Sequence, residues 1–181
     1  LTILWLAWAL SGITDEDNLG TGRFLGALLQ QAVDVRWMPT LVFVLSSVVA
    51  FSTGTSWGTM GILMPIVVGA TYRMVESQTG SIDPNSPILI ASIGSVLAGA
   101  IFGDHCSPIS DTTVLSSQAS SCNHVAHVWT QLPYALTVAL VSILFGTLPV
   151  GFGVPVWPLL GLGPVALVVL LLIFGRKTES P

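Results

Sequence analysis

The stretch GDHCSPISDTTVLSS, from Gly103 to Ser117, gathers two aspartates, a histidine and several hydroxyl side chains within an otherwise apolar chain. Of the 181 residues, 52% are hydrophobic and 8% are charged, and the mean hydropathy is +0.83. A soluble domain carries about 25% charged residues, because its surface faces water. The composition therefore predicts an all-α, polytopic transmembrane protein, in which so polar a stretch needs a specific reason.

Charge and cysteine usage exclude several classes of protein. The net charge is -4, from nine acidic and five basic residues, and no basic patch occurs, so nucleic acid is not an expected partner. Cys106 and Cys122 form neither a CxxC pair nor a disulfide framework. The apolar start, Leu1 to Leu10, lacks the basic flank and cleavage site of a signal peptide. We therefore expect a fragment, the C-terminal part of a longer membrane protein.

Apolar segments predict one transmembrane domain over residues 1–181. The predicted spans are residues 1–13, 37–71, 87–122, 133–149 and 159–174. Residues 19–36 mix charged side chains with apolar ones at helical spacing, which predicts an amphipathic segment at the membrane interface.

Two of these spans contain polar interruptions. A straight span needs about 20 residues, so 37–71 and 87–122 are too long for one helix and short for two. The interruptions are STGTSWGT, from Ser52 to Thr59, and the stretch from Gly103 to Thr113. We therefore predict discontinuous helices, broken or re-entrant, made of half-helices that end at membrane depth. That arrangement is typical of one part of an inverted-repeat transporter.

The interruptions supply oxygen atoms for a small hard cation, because broken helices free carbonyl groups beside hydroxyl and carboxylate groups. Asp104 and Asp111 are the predicted cation- and proton-binding residues, with no lysine or arginine in that stretch to pair with them. A charged aspartate in a bilayer costs at least about 2.5 kcal/mol, so a bound cation or proton is the natural compensation. The predicted oxygen donors or break-forming residues are Thr53, Thr55, Ser56, Ser107, Ser110 and Thr112. His105 is a candidate proton relay.

Such a site predicts exchange. A carboxyl group held away from water favours its protonated form, and a nearby cation reverses that preference. Protons and sodium ions then compete for the same oxygen atoms. This function requires no enzymatic activity, no cofactor and no metal beyond the transported Na+.

Structural explanations compete with these roles. Asp111 is also suited to cap the following helix, and Asp104 could mark an ordinary helix end at the surface. Serine and threonine in membrane helices often bond back to the preceding turn. A rival chemistry is a zinc site built from His105, Cys106, Cys122, His124 and His127, although the zinc-protease pattern HExxH is absent from the sequence.

These stretches also carry a family resemblance. AFSTGTSWGTMGILMPI (Ala50 to Ile66) and GAIFGDHCSPISDTTVLSS (Gly99 to Ser117) resemble the signature sequences of the NhaC family of sodium/proton antiporters. HVWTQLPYAL, from His127 to Leu136, resembles the segment that follows in that family, and the likeness covers residues 37–150. It implies a secondary transporter of the ion-transporter superfamily, in which sodium leaves the cell in exchange for protons.

The resemblance also sets the alternatives. Some relatives exchange organic acids or amino acids, so an ion-coupled carrier of such substrates is the second hypothesis, and a zinc-dependent membrane enzyme is the third. The resemblance implies a multi-pass protein of the cell membrane, expected to be a prokaryotic inner membrane, with a role in pH and sodium homeostasis. The expected partners are the lipid bilayer, Na+, H+ and the missing N-terminal half of the transporter, and oligomers are compatible with this reading.

Overall fold

The computed structural model describes residues 5–6, 9, 12–13, 17–80 and 85–175, which contain helices and turns but no strand. In chain order the helices are α1 (Thr21–Ala32), α2 (Met38–Thr53), α3 (Ser56–Thr79), α4 (Pro87–Cys106), α5 (Asp111–Ala119), α6 (His124–Ser142), α7 (Leu148–Gly151) and α8 (Val156–Phe174). A 3-10 turn (Val35–Trp37) precedes α2, and a π-helical turn (Ile143–Thr147) joins α6 to α7. The predicted all-α class is confirmed.

Several segments are long and apolar enough to cross a membrane. Among the described residues these are Val35–Thr53, Ser56–Gln78, Pro87–Cys106, His124–Gly151 and Val156–Phe174, five in all. The polytopic fold is thus confirmed, and the predicted span at residues 159–174 corresponds closely to α8. The predicted span at residues 1–13 lies largely outside the described residues.

The first interrupted block differs from the expected pair of half-helices. The chain does break, at Gly54 and Thr55, but the segments on both sides are long enough to span. The second of these segments, α3, continues beyond the predicted end at residue 71 to Thr79, and the 3.3 Å ion pair of Arg73 with Glu76 lies within that extension. In the second block, α4 has 20 residues and α5 has nine, so only the latter arm is short.

Helix α6 begins nine residues before the predicted start of its span at residue 133. The side chain of Asn123 caps it by accepting a hydrogen bond from the N–H of Ala126 at 3.1 Å. Pro133 lies inside the helix and not in its first turn. A membrane helix tolerates an internal proline when neighbouring groups satisfy the freed carbonyl groups, so proline alone did not mark the boundary.

Helices α2 and α4 form the centre of the molecule and run side by side in the same direction. Gly99 faces Phe43 and Gly103 faces Ser47, one turn further along both helices. A side chain on either glycine would collide with a backbone carbonyl of α2, at Phe43 or Ser47. Small residues allow this close approach of two backbones within a membrane. The parallel arrangement brings the carboxyl ends of both helices, and therefore both interruptions, to the same level.

Helix α1 packs along the second half of α3. Gly22 contacts Gly69, and Gly26 lies against Ala70 and the first side-chain carbon of Arg73. The predicted segment 19–36 is thus partly helical and packed against a spanning helix, while Phe24 and Leu28 are exposed. Its location at the membrane interface stays a prediction.

Candidate cation and proton site

The two interruptions contact each other directly. The hydroxyl group of Ser107, at the end of α4, donates a hydrogen bond to the carbonyl oxygen of Phe51 in α2, at 2.7 Å. Ser107 also accepts a weak bond from the N–H of Ile109 at 3.4 Å and is fully buried. Its hydroxyl therefore joins the two breaks, while its backbone N–H donates to the backbone carbonyl of Asp104 at 3.1 Å. In the described chain, the Ser107 hydroxyl makes no hydrogen bond with an aspartate carboxylate.

Asp104 lies where the two interruptions meet. It belongs to the last turn of α4, not to the loop that follows, and only 8% of its surface is exposed. Its Oδ2 accepts a hydrogen bond from the hydroxyl of Ser56 at 2.9 Å, and its Oδ1 accepts one from Ser110 at 2.6 Å. One buried carboxylate therefore bridges the first turn of α3 and the residue that precedes α5, so the alternative of a surface helix end does not apply.

Ser110 extends this contact into a chain of hydroxyl groups. Its side chain caps α5 by accepting from the N–H of Thr112 at 3.3 Å, and its oxygen lies 2.8 Å from the Thr112 hydroxyl. Because Ser110 donates its own hydrogen to Asp104, the hydrogen between the two hydroxyl groups comes from Thr112. The helix cap is thus Ser110, where Asp111 had been the alternative.

The first interruption is a sharp turn at Gly54. Its φ of +67° lies in the left-handed region, which glycine adopts without steric cost. A side chain here would also lie 3.0 Å from the carbonyl oxygen of Ile109, in the second interruption. The next residue, Thr55, is extended, and its hydroxyl caps α3 by accepting from the N–H of Gly58 at 3.3 Å. This geometry places Ser56 beside Asp104.

The other predicted threonine of the first interruption bonds to its own helix. Thr53 donates to the carbonyl of Val49 at 2.9 Å, and its oxygen lies 3.4 Å from the hydroxyl of Thr59. Thr59 in turn donates to the carbonyl of Thr55 at 2.9 Å. Thr53 and Thr55 are therefore close to the site but use their described hydrogen bonds to shape the break.

Asp111 and His105 are placed differently from Asp104. Asp111 is exposed in the first turn of α5, and His105 is exposed in the last turn of α4. Within the described residues, neither side chain forms a hydrogen bond or ion pair with Asp104. The backbone carbonyl of His105 accepts from Thr113 at 3.3 Å and from Gln131 at 3.1 Å. Their predicted roles in cation binding and proton transfer stay predictions.

Among the described residues, helix ends and not cationic side chains lie around Asp104. The described ion pairs join Arg36 to Asp34 and Arg73 to Glu76, and none reaches Asp104. The amino ends of α3 and α5 lie beside the carboxylate, since Ser56 and Ser110 begin or precede these helices. Helix amino ends carry partial positive charge, which stabilises a nearby anion, whereas the carboxyl ends of α2 and α4 offer carbonyl oxygens.

The rival zinc site is not supported. In the described parts of the chain, no group of three or more histidine, cysteine and acidic side chains is placed to hold a metal ion. Both ring nitrogens of His124 make hydrogen bonds, Nε2 with the carbonyl of Pro108 at 2.7 Å and Nδ1 with the hydroxyl of Ser117 at 3.1 Å. His127 Nε2 lies 3.3 Å from the hydroxyl of Ser116.

These contacts also identify residues that the sequence reasoning missed. His124 contacts the loop of the second interruption, and Gln131 contacts the end of α4. Both lie near the start of α6, whose residues from His127 onward were assigned to a family signature without a role. Asn123 directly before His124 indicates a helix start, but the contact of His124 with a loop 16 residues earlier is a tertiary feature. Nothing in the sequence signalled the contact of Gln131.

Sequence similarity to known proteins identifies the family of this chain. The sequence model of the Na+/H+ antiporter family matches residues 1–150. An uncharacterised protein of Haemophilus influenzae is 40% identical over 177 residues, 98% of this chain and 31% of that protein. The malate-2H+/Na+-lactate antiporter of Bacillus subtilis is 35% identical over 109 residues, 60% of this chain and 21% of that protein. The Na+/H+ antiporter NhaC of Alkalihalophilus pseudofirmus is 26% identical over 148 residues, 80% of this chain and 28% of that protein.

The chain spans less than a third of the length of these curated relatives. No solved structure matches it. The family match nevertheless extends over most of the chain and includes both interruptions and the bridging aspartate. The chain is therefore a membrane protein that belongs to the Na+/H+ antiporter family.

Proposed function

We propose that this chain forms part of a secondary transporter that exchanges Na+ for H+ across the membrane, with Asp104 as the group that binds both ions. The single observation that supports this role is the buried Asp104 carboxylate, which bridges two helix interruptions through the hydroxyls of Ser56 and Ser110. The proposed cycle needs no cofactor besides the transported ions, and it is transport and not enzymatic catalysis.

Burial of the Asp104 carboxylate favours binding of a cation or a proton. Removing an ionised carboxylate from water is costly unless the charge is balanced. Two hydroxyl donors and two helix amino ends offset part of that cost, but the described chain provides no cationic side chain to complete the balance. A sodium ion or a proton neutralises the carboxylate, which allows the loaded site to change its exposure to the two sides of the membrane.

The hydroxyl groups around Asp104 are suited to both loaded states. A hydroxyl group has one hydrogen and two lone pairs. Ser56 and Ser110 donate to the carboxylate in the described arrangement, and either can rotate to present oxygen to a hard cation, which prefers oxygen ligands. Thr112 can then follow Ser110, since their hydroxyl oxygens are 2.8 Å apart. Thr53, Thr55 and Ser107 hold the backbone that brings these groups together.

Asp111 and His105 are proposed to assist the entry of ions at the exposed side of the Asp104 site. Asp111 follows Ser110 directly and lies in the open, where a carboxylate attracts cations toward the site. His105 follows Asp104 and is also exposed, so its ring is available to carry a proton between water and the site. Both residues therefore assist entry, whereas Asp104 binds.

The site is proposed to work within a longer protein of the cell membrane. The match covers less than a third of the length of these relatives, which supports a transport site completed by an N-terminal half. Five potential spans support a multi-pass location, and the bacterial relatives support a prokaryotic inner membrane. Oligomers are compatible with this arrangement, and the physiological role would be pH and sodium homeostasis.

The test is sodium-dependent proton flux of the full-length protein in everted membrane vesicles. Asp104→Asn keeps the size of the side chain but removes the exchangeable charge, so we expect flux to fall to the background of vesicles without the transporter. Asp111→Asn should keep the maximal rate and raise the half-maximal sodium concentration severalfold. Asp17→Asn, at an exposed position remote in sequence from both interruptions, is the matched control and should behave as wild type.

Substrate identity is decided in the same assay. One relative is named for malate and lactate exchange, so flux should be compared with sodium alone and with organic acids added. A described cavity of about 680 Å³, which could hold an organic substrate, lies between α4, α6 and α8 and is lined by residues such as Ile90 and Leu160. Full flux with sodium alone supports simple exchange. Flux that requires an organic acid would refute simple exchange, and wild-type flux in Asp104→Asn would refute ion binding by Asp104.

A further inference from the structure

His124 contacts both the second interruption and the helix that follows it. Its Nε2 lies 2.7 Å from the carbonyl oxygen of Pro108, in the loop between α4 and α5, and its Nδ1 lies 3.1 Å from the hydroxyl of Ser117 in α5. Ser117 is buried and donates to the carbonyl of Val114 at 2.9 Å. The histidine therefore connects the middle of the loop to the body of α5.

The hydrogen count at this contact depends on the protonation of the ring. A carbonyl oxygen accepts only, so Nε2 must carry a hydrogen to bond with Pro108. In the neutral ring, Nδ1 then carries no hydrogen and must accept the hydroxyl hydrogen of Ser117. That hydrogen can then no longer be donated to the carbonyl oxygen of Val114. In the doubly protonated ring, Nδ1–H donates to Ser117, and Ser117 keeps its bond to Val114. All three hydrogen bonds are satisfied together only when the ring carries both hydrogens.

The loop that His124 holds carries the proposed site. Pro108 lies between Ser107, which bonds to Phe51 of α2, and Ser110, which bonds to Asp104. Fixing the carbonyl of Pro108 therefore limits the positions that the Ser110 hydroxyl can take relative to the carboxylate.

We propose that His124 is a positioning residue of the exchange site, holding the loop from Ser107 to Ser110 most firmly when its imidazole ring is doubly protonated. The proposal rests on the proposed function for its meaning in transport, but the contact itself is testable without transport. Acidic conditions would thus tighten the loop, and alkaline conditions would loosen it.

Within the described residues, the other titratable groups on the elements around His124 form no hydrogen bond or ion pair with its ring. They are Asp104, His105 and Cys106 in α4, Asp111 in α5, and Cys122 and His127 next to His124 in sequence. In the described part of the chain, none of them forms a hydrogen bond or ion pair with His124, whose ring bonds are those to Pro108 and Ser117. A pH effect transmitted through this ring can therefore be separated from titration of the aspartates by substitution of His124 alone.

The first readout is the reactivity of Cys106, which is buried directly before the loop. The full-length protein, with Cys122→Ser, is labelled with N-ethylmaleimide between pH 5.5 and 8, and each rate is divided by that of the detergent-denatured protein at the same pH. We expect protection of Cys106 in wild type to be greater at the acidic end of this range than at the alkaline end. His124→Ala should lose this pH dependence and, at the acidic end of the range, should label about fivefold faster than wild type, the change expected for one lost hydrogen bond.

Two variants distinguish a positioning role of His124 from a general contribution to the stability of the fold. His124→Gln retains an N–H donor for Pro108 but does not titrate, so it should restore protection and remove its pH dependence. His127→Gln, the matched control, alters a histidine that contacts Ser116 and not the loop, and should keep the wild-type pH dependence. If His124→Ala fails to fold, the comparison of these two variants remains the test.

The second readout is the half-maximal sodium concentration for flux, measured over the same pH range. His124→Ala should raise it about fivefold, and His124→Gln should restore it. Wild-type labelling in His124→Ala, or equal loss of pH dependence in His124→Gln and His127→Gln, would overturn the positioning role while leaving exchange at Asp104 intact. Absence of sodium-dependent flux in wild type would instead refute the proposed function, and the labelling result would still decide the role of His124.

Discussion

The two interruptions of this protein have similar polar sequences but different structures. The first is a turn of two residues, Gly54 and Thr55, between two helices that are each long enough to span a membrane. The second is a loop from Ser107 to Ser110, flanked by two aspartates and followed by a helix of nine residues. The first thus supplies geometry and one hydroxyl group, while the second supplies the charge.

This difference shows why neither interruption forms the site alone. Asp104 accepts a hydrogen bond from each side. The 2.6 Å contact with Ser110 lies within the second interruption, whereas the 2.9 Å contact with Ser56 arises because α2 and α4 are parallel and in close contact. A hydroxyl-rich turn without a carboxylate would bind a cation weakly. Without the turn, the buried Asp104 carboxylate would lose the hydrogen bond from Ser56 and keep only that from Ser110.

The largest expected effect concerns the dependence of the first interruption on the second. Gly54→Ala should lower the free energy of unfolding by about 3 kcal/mol, because it combines left-handed strain with a collision against the carbonyl of Ile109. Gly80→Ala is the matched control, since Gly80 has the same φ of +67° but nothing within 4 Å of an added side chain. It should cost about 1 kcal/mol, the strain alone. Denaturant unfolding in detergent measures both, and equal losses would show that the contact between the interruptions is unimportant.

A smaller effect compares what each interruption contributes to Asp104. Ser110→Ala removes a hydrogen bond to the carboxylate and the cap of α5, so we expect the half-maximal sodium concentration to rise about 30-fold. Ser56→Ala removes only the bond from the first interruption, and a rise of about tenfold is expected. Sodium-dependent flux across a concentration series measures the ratio. A larger loss in Ser56→Ala would reverse the assigned roles of the two regions.

The smallest effect tests the bond that joins the interruptions. Ser107→Ala leaves the carbonyl of Phe51 without its 2.7 Å partner and should lower the free energy of unfolding by about 1 kcal/mol. Ser52→Ala is the control, because the exposed Ser52 hydroxyl bonds back to Val48 of its own helix at 2.8 Å and should matter little. Thermal unfolding in detergent compares the two, and indistinguishable midpoints would mean that Ser107 does not hold the breaks together.

Local sequence patterns were sufficient for much of this description. Apolar runs located the spans, and clusters of glycine and hydroxyl residues located both breaks, because hydration cost and backbone strain are properties of short segments. The predicted helix boundaries were less accurate at two places. Pro133 lies within α6 and does not begin it, and α3 continues past Arg73, which pairs with Glu76. In both cases the helix continues past a residue that usually ends an apolar span.

The assignment within the site illustrates the same limit. The sequence predicted the same role for Asp104 and Asp111, since both are acidic residues in one polar stretch. In the structure only Asp104 is buried. The cap of α5 is Ser110, and the contact of His124 with Pro108 could not be read from spacing. Burial and long-range hydrogen bonds depend on how helices pack, which no short window of sequence specifies.

By itself, the sequence determined that this protein lies in a membrane as helices and that two of its apolar segments are broken by polar residues. Composition decides the solvent, and local polarity decides where a helix can break. Only the tertiary structure decided that both breaks meet at one carboxylate, because the parallel contact of α2 and α4 through Gly99 and Gly103 sets that distance.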